Sequence, residues 1–319
     1  MDRIDLHYFP GWTRKAITFT IDDGIVRMDR KLIDIVRPHG IKGTFNITSN
    51  FLLEHDSPET ARALYQGYEI ANHVKYHPFA FCDGAEPAAE CIAAEPFPGE
   101  DKADTAKVYP APQGVPGLYR RYSQAHGAWQ GAATAQTYIE LVDACKRELE
   151  KIFGQGSVQG FVWPYARQEN SKIIAYLESQ YYGMRTAGIR YGYGETTFDL
   201  PEDWTNWAIN TRHNNLLQRA KLFEAYPDDG RLKWLVFGVH SHDFERDGTW
   251  DELAAFAEQY GNRPEDFWYA SNIEVFQYAD AVRAVTVHDG KITNPSDLTL
   301  YTKVNDRRVI LPPNSTTRL

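Results

Sequence analysis

The chain has 319 residues, of which 43% are hydrophobic and 24% charged, and its formal net charge is −9 at pH 7. This composition is typical of a globular protein with a large core, and the negative charge argues against nucleic acid as a partner. No run approaches the roughly 18 apolar residues that cross a bilayer, so no membrane partner is expected. The N-terminus lacks a basic stretch followed by an apolar one, which predicts a cytoplasmic protein unless a signal has been removed. The three cysteines lack CxxC spacing, which fits a reducing compartment.

Short apolar runs alternate with helical patterns along the chain, which predicts βα units around a mainly parallel sheet. The runs are apolar rather than strictly alternating, as expected when both faces of the sheet are covered. The predicted strands are 16–21, 42–48, 158–163 and 233–240, and the predicted helices are 28–38, 136–153, 170–181, 215–226 and 250–260.

Two segments depart from this rhythm. Residues 80–135 are rich in Pro, Gly and Ala, and a loop of such length inside a compact domain is usually functional or disordered. We interpret them as an insertion that borders the functional site. Residues 284–319 show strand-turn-strand punctuation without a helical period, which predicts a small β appendage. The predicted organisation is therefore a main domain over 1–283, with the insertion, and a β extension over 284–319.

Polar clusters follow four of the apolar runs. The sequence IDDG ends the first predicted strand, NHVKYHP follows a later run, and FVWPYA and FGVHSHDF end two more. In parallel α/β barrels the carboxyl ends of the strands meet at one mouth, where active sites lie. The order of the pieces therefore predicts that the four clusters converge in space.

Two of these clusters have the residue types of a metal site. His73 and His77 are four residues apart, so one helical turn would place both imidazoles on one side. Two histidines and one carboxylate form the three-ligand set of hydrolytic zinc sites. Taken singly, such a pair is typical of solvated surface histidines, and Asp-Gly is typical of a turn. Adjacent carboxylates at Asp22 and Asp23 repel each other, and a cation would relieve that repulsion.

The four clusters together resemble the motifs of the polysaccharide deacetylase family (carbohydrate esterase family 4, the NodB homology domain). TFTIDDG resembles its TFDDG motif, and NHVKYHP resembles its H(S/T)xxH motif. WPYA is similar to its RxPY motif, and VFGVHSHDF resembles the late strand with its catalytic histidine. The resemblance covers residues 12–285 and implies a distorted (β/α) barrel, here with a long insertion and a small C-terminal β appendage.

Carried over by motif, the resemblance also implies the roles of the site residues. It implies a divalent metal on Asp23, His73 and His77, a general base at Asp22, a general acid at His240, an oxyanion donor at the Tyr165 backbone N–H, and a substrate contact at Pro164. Zinc is the expected metal, with Co, Ni, Mn or Fe as alternatives. The metal is needed because free water, with a pKa of ~15.7, lies about twelve units above an aspartate of ~3.9.

The sequence departs from the family pattern in three places. The arginine of RxPY falls at Val162, so another residue must orient Asp22, with Arg185 as first candidate and Arg167 as second. The later Asp-Trp motif has no clean counterpart, and Trp207 is the candidate wall of an acetyl pocket.

The third departure concerns the general acid. His240 and His242 compete for that role, and the likeness of GVHSHDF to a GHSYEF form of the family favours His240, with Asp243 as its partner.

The resulting hypothesis is a metal-dependent hydrolase that removes acetyl groups from N-acetylated or O-acetylated sugars, with an acetylated carbohydrate as its partner. One alternative keeps the fold and hydrolyses other C–N bonds, in formyl groups or cyclic amides. Another is a carbohydrate-binding relative without turnover, although such a module needs no base beside a metal. A non-haem iron oxygenase would use the same two-His-one-carboxylate set, but oxygen activation requires no adjacent Asp22. The oligomeric state stays open.

Overall fold

The computed structural model of the chain describes residues 3–92, 107–123, 127–189 and 197–318. The strands are β1 Ile4–Tyr8, β2 Lys15–Asp23, β3 Gly43–Ile47, β4 Glu69–Asn72, β5 Phe79–Ala80, β6 Tyr109–Pro110, β7 Leu118–Ser123, β8 Ala128–Ala133, β9 Gly160–Val162, β10 Gly183–Ile189, β11 Trp207–Ile209, β12 Lys233–His240, β13 Trp268–Tyr269, β14 Thr286–His288, β15 Lys291–Asn294, β16 Leu300–Val304, β17 Arg307–Leu311 and β18 Ser315–Arg318. The helices are α1 Val26–Val36, α2 Ser49–Leu53, α3 Pro58–Leu64, α4 Ala135–Phe153, α5 Ser171–Gln180, α6 Leu216–Glu224, α7 Ser241–Asp247, α8 Trp250–Tyr260 and α9 Asn272–Ala284.

A parallel sheet forms the centre of the molecule. Its strand order is β11-β10-β9-β4-β3-β2-β12, and β13 pairs with the start of β2. A parallel bridge between Thr211 and Phe237 joins the chain after β11 to β12, so that the sheet is nearly closed. The distorted (β/α) barrel predicted for this chain is therefore confirmed.

The main core lies between the barrel strands and the helices around them. In β2 every residue after Lys15 is buried, because neighbouring strands cover its edges and side chains cover both faces. Phe19 of β2 stacks on Phe237 of β12 and packs edge-on against Phe256 of α8, with ring centroids 4.8 and 5.3 Å apart. Apolar residues on both faces are what a parallel strand covered by helices requires.

The long, strongly patterned elements agree with the sequence-based predictions. Strands β2, β3, β9 and β12 and helices α1, α4, α5, α6 and α8 lie where the sequence pattern predicts them. Strand β4 was expected before His73 but without bounds, and strands β10, β11 and β13 were not expected. They are short or interrupted by glycine, and β11 has only three residues, so none gives a continuous apolar run. None of the described helices is long and apolar enough to cross a lipid bilayer.

The insertion over 80–135 contains a small sheet rather than an irregular loop in its described part. Strands β5 to β8 pair in the order β5-β8-β7-β6. Phe79, Phe81 and Val108 are buried together, and Tyr119 and Tyr165 pack against them. Residues 93–106 and 124–126 of the insertion lie outside the described ranges. The sheet contacts the chain after β9 through Tyr165.

The residues after 284 form strands that pack against the N-terminus of the chain. Strands β14, β15 and β18 make one antiparallel sheet, and β16 and β17 make another with β1. A second apolar cluster joins Phe9 and Trp234 to Ile292, Leu300 and Leu311 of this segment. The N-terminal strand, which the sequence analysis leaves unassigned, is thus part of the C-terminal β structure.

Candidate active site

A cavity of about 290 Å³ lies at the carboxyl ends of the barrel strands. Its lining contains most of the chemistry-bearing residues singled out in the sequence. The lining residues are Asp22, Asp23, His73, His77, Trp163, Tyr165, Arg185, Ile209, Arg212, Gly238, His240 and His242. The polar clusters at the four strand ends therefore converge, as the strand order predicts.

The end of β2 directs two adjacent carboxylates into this cavity. Successive side chains of a strand normally point to opposite faces. Here Asp23 has φ 81° and Gly24 has φ 78°, so the chain turns at this point and both Asp22 and Asp23 line the cavity. A Cβ on Gly24 would lie 2.8 Å from Cγ2 of Ile47, which leaves room only for glycine. The Asp-Gly pair is therefore both a turn and part of the site.

His73 and His77 approach each other through a loop, and the expectation of one helical turn is wrong. Strand β4 ends one residue before His73, and Val74, Tyr76 and His77 all have φ between 49° and 65°. Asn50 of α2 holds this loop by accepting a hydrogen bond from the Tyr76 N–H at 2.7 Å. The two Nε2 atoms are 3.0 Å apart. Left-handed residues give the i, i+4 pair the proximity that a helix would also have given.

The hydrogen bonding of these histidines leaves metal-binding atoms facing Asp23. The Val162 carbonyl oxygen lies 2.9 Å from Nδ1 of His73, and since a carbonyl only accepts, Nδ1 bears the proton. The Nε2 atoms of His73 and His77 lie 3.6 and 3.5 Å from Oδ1 of Asp23. Among the described residues this buried Oδ1 has no hydrogen-bond partner. Such an orphaned oxygen beside two imidazole nitrogens is the donor set of a divalent cation.

The electrostatics of the two imidazoles agree with this donor set. Burial lowers the pKa of His73 below its usual range. Burial and the neighbouring His73 lower the pKa of His77 to about 3. Both rings are therefore neutral at pH 7, the form in which histidine ligates metals.

Asp22 lies between groups that keep it ionised. Strand register places Asn46 and His240 on either side of it, and Asn46 Nδ2 donates to its Oδ1 at 2.7 Å. The Arg185 guanidinium contacts the same oxygen. Burial by itself would raise the pKa of Asp22, but Arg185, together with His73 and His240, holds that pKa well below its usual range. Asp22 is an anion at neutral pH, able to accept a proton.

Arg185 also accounts for the missing motif arginine. On β10 it is paired in register with Val162 of β9, the position where the motif would have its arginine. The guanidinium thus reaches Asp22 from β10, the strand next to β9. Arg167, the second candidate, donates instead to the Thr205 carbonyl at 3.4 Å and does not line the cavity.

The two late histidines differ in their partners. His240 Nδ1 lies 3.0 Å from Asp243 Oδ2, and its Nε2 lies 3.9 Å from Asp22 Oδ2. Burial lowers the pKa of His240, but the hydrogen bond to Asp243 and the charge of Asp22 raise it overall. Burial and the charge of His240 lower the pKa of His242, whose Nδ1 lies 3.7 Å from Asp23 Oδ2. His240 is therefore the better proton donor of the two.

The remaining predicted residues are placed less uniformly. Tyr165 lines the cavity with φ 63°, and its ring lies edge-on to His77 with centroids 4.7 Å apart. Pro164 is buried between two lining residues without lining the cavity itself. Trp207 does not reach the cavity. Its ring is buried against Trp234, with ring centroids 4.9 Å apart. Trp207 lies further from the carboxyl end of β11 than Ile209, and Ile209 is the residue of this strand that lines the cavity.

Several site residues were missed by sequence reasoning. Asn46, Trp163 and Arg212 contact Asp22 or line the cavity. Asn46 lies inside a predicted strand next to β2, and Trp163 lies inside the quoted FVWPYA cluster, so register and position could have indicated both. Arg212 follows β11, a strand too short to predict. His213, just before α6, is buried and hydrogen-bonded to Asp247.

Imidazoles and carboxylates gathered at the strand ends of a nearly closed parallel barrel define the class, a (β/α)-barrel protein with a candidate metal centre. A family model described as polysaccharide deacetylase matches residues 11–187, more than half of the chain. The chain therefore belongs to the polysaccharide deacetylase family, and the family resemblance of its motifs is confirmed.

The chain is also similar to solved structures. A structure assigned to the polysaccharide deacetylases, from Mycobacterium smegmatis, is 16% identical, covers 88% of this chain and 96% of its own, and has a TM-score of 0.52. A peptidoglycan deacetylase from Bacillus subtilis is 12% identical, with 84% and 91% covered and a TM-score of 0.44. The carbohydrate esterase family 4 domain of a xylanase from the hindgut metagenome of Trinervitermes trinervoides is 14% identical, with 84% and 92% covered and a TM-score of 0.44. No curated protein sequence matches the chain.

Proposed function

We propose that this protein is a metal-dependent deacetylase that hydrolyses the acetyl group of an acetylated carbohydrate, with zinc as its metal. Family membership supports the deacetylase activity. The observation that carries the metal is the buried Asp23 Oδ1, which has no hydrogen-bond partner among the described residues and faces two imidazole Nε2 atoms. N-acetyl groups are the first choice and O-acetyl groups the second.

The metal would be held by Asp23, His73 and His77. When bound, a divalent cation lowers the pKa of a water molecule and polarises the acyl carbonyl. Asp22 takes the proton of the attacking water, because Arg185 and Asn46 keep it ionised and directed at the cavity. The Tyr165 backbone N–H donates to the oxygen that becomes negative.

The leaving group receives its proton from His240. Its Nδ1 proton is held by Asp243, so the Nε2 proton is the one free to move toward the cavity. Asp22 and His240 lie on paired strands, with 3.9 Å between Oδ2 and Nε2, so the base and the acid flank the same small space. His242 lies against Asp23 and is the weaker candidate for the acid.

The test combines metal analysis with acetate release. The purified protein is expected to contain one divalent metal per chain, to lose acetate release on chelation, and to regain it with zinc. Chitin oligomers, acetylated xylan and peptidoglycan fragments are the three substrates to compare. Metal-loaded protein that releases acetate from none of them would contradict the proposal.

Two variants separate the metal site from the base. Asp23→Asn should lose both metal and activity, because a ligand charge is removed. Asp22→Asn should keep the metal and lose about 10²–10⁴-fold in kcat, the usual contribution of a general base. Asp34→Asn, on the exposed face of α1, is the matched control and should behave as the native protein. Unchanged acetate release by Asp22→Asn would exclude its role as base.

A further inference from the structure

Four polar side chains next to His240 contact one another in a closed circuit. We name this cluster the His213 ring; it consists of His213, Asp243, Arg246 and Asp247. His213 Nε2 lies 2.7 Å from Asp247 Oδ2, and its Nδ1 lies 3.7 Å from Asp243 Oδ2. Arg246 closes the ring, with Nη1 2.6 Å from Asp243 Oδ1 and Nε 2.7 Å from Asp247 Oδ1.

The ring joins two parts of the fold. Asp243, Arg246 and Asp247 all belong to α7, which begins directly after His240, whereas His213 belongs to the turn between β11 and α6. His213 is buried, with 5% of its surface exposed, and its ring lies edge-on to Phe244. A buried imidazole from another element therefore fixes the helix that carries the partner of His240.

The contacts indicate how His213 acts on Asp243. Its Nε2 lies within hydrogen-bond distance of Asp247, whereas its Nδ1 has no hydrogen-bond partner among the described residues. Asp247 in turn contacts Arg246, which contacts Oδ1 of Asp243, while His240 Nδ1 lies 3.0 Å from Oδ2 of the same carboxylate. His213 therefore reaches Asp243 through Asp247, Arg246 and the helix that carries them.

The other charged neighbours do not make this cluster a second metal site. His240, His242 and Asp243 lie close enough together to ligate a cation. Arg246 already contacts one oxygen of Asp243 at 2.6 Å, and His213 and His240 face the other. A cation would have to displace these groups from Asp243, so the cluster does not form a second metal site.

We propose that His213 is a positioning residue of the deacetylation, acting through Asp243 on His240. The inference rests on the proposed function, in which His240 protonates the leaving group. Through Asp247 and α7, His213 holds the Asp243 carboxylate in the orientation that directs Nε2 of His240 into the cavity. Asp22 and His242 face His240 from the cavity side, and Asp23 lies beyond His242.

The primary variant is His213→Gln in zinc-loaded full-length protein. We expect kcat for acetate release to fall about tenfold, with KM within about twofold of native, since a misdirected acid affects the transition state more than binding. The alkaline limb of the kcat profile should move to lower pH, because a displaced Asp243 no longer makes the hydrogen bond that raises the pKa of His240. Metal content should not change. His55→Gln, at an exposed position, is the matched control.

Asp247→Asn is a second variant at a more exposed position, and it removes the 2.7 Å partner of His213. It should lower kcat about two- to threefold without loss of metal, a smaller effect of the same kind. If His213→Gln does not fold, this variant decides: an unchanged kcat would overturn the proposal. A His213→Gln protein with a lowered melting temperature but native kcat and native pH profile would equally overturn it, since the role would then be structural.

An activity-independent measurement separates this inference from the proposed function. The imidazole Cε1–H signal of His240 can be titrated by NMR in the native protein and in His213→Gln. A downward shift of the pKa of His240 in the variant supports the positioning role even if no acetylated glycan is hydrolysed. Identical titration curves would overturn it, whereas inactivity of the native protein alone would contradict only the deacetylase assignment.

Discussion

Arg185 stands on β10 beside the position on β9 where the family motif has its arginine. Register pairing sets it against Val162, and its guanidinium contacts Asp22 of β2, although β9, β4 and β3 lie between β10 and β2 in the sheet. Arg185 is fully buried, so little water screens this contact. The charge relation between an arginine and the candidate base is thus kept while the residue that supplies it has moved.

The pH dependence of activity tests this relation. Because Arg185 holds the pKa of Asp22 below its usual range, Arg185→Met should raise that pKa and move the acid limb of kcat/KM to higher pH. A shift of about one to three units is expected for an aspartate that loses an arginine partner. The measurement is acetate release from about pH 2 to pH 9, because the native acid limb lies below pH 4, with metal content determined in parallel.

Arg167→Met is the control for this prediction. Arg167 lies at the edge of the site, where it donates to the Thr205 carbonyl and does not touch Asp22. The acid limb should stay in place in this variant. Equal shifts in both variants, or none in Arg185→Met, would show that Asp22 is ionised by some other group.

At the scale of elements, two turns give the site its shape. The end of β2 and the loop after β4 both use residues with positive φ, at Asp23 and Gly24 and again at Val74, Tyr76 and His77. Helical spacing is a good reason to expect a metal pair at His73 and His77, yet no helix is present there. The left-handed residues of the loop bring the two Nε2 atoms of His73 and His77 to 3.0 Å from each other instead.

Gly24→Ala should show how closely the first turn and the metal site are linked. The new Cβ would meet Ile47 at 2.8 Å, in addition to the strain of a positive φ. We expect the free energy of unfolding to fall by about 2–4 kcal/mol, from overpacking and backbone strain together, and the metal content to fall with it. Urea unfolding and metal analysis measure both.

Gly67→Ala is the matched control, since Gly67 has φ 86° but no atom within 4 Å of its would-be Cβ. It should cost only the backbone strain, about 1 kcal/mol, and leave the metal content unchanged. Similar losses of stability and of metal in the two variants would contradict a specific role for the Gly24 turn.

At the scale of the whole molecule, the C-terminal β structure shares its core with the barrel. Leu300 and Leu311 are buried in the cluster that also contains Phe9, Trp207 and Trp234, and β16 pairs with the N-terminal β1. Sequence pattern alone favours an appendage after residue 284. Shared burial instead predicts that the two parts unfold together.

Leu311→Ala tests this coupling. Leu311 is 1% exposed, so its truncation should lower the free energy of unfolding by about 2–5 kcal/mol. Tryptophan fluorescence and far-UV circular dichroism should report one urea transition with a lowered midpoint. The neighbouring Ile310 is 47% exposed, and Ile310→Ala should change stability by less than about 0.5 kcal/mol. Two separate transitions in Leu311→Ala would mean that the extension folds independently.

Local pattern was sufficient for the features of this protein that depend on neighbours in the chain. Continuous apolar runs predict β2, β3 and β12, since both faces of a parallel strand are covered, and polar motifs at strand ends predict the convergence of Asp22, Asp23, His73 and His77. Other features depend on contacts between residues far apart. The pairing of Arg185 with Val162, the burial of Trp207 and the ring around His213 arise from strand register and helix packing, to which a short sequence window is insensitive. Side chains on different elements acquire their partners only when the barrel closes, because the free energy that orders them comes from that shared burial.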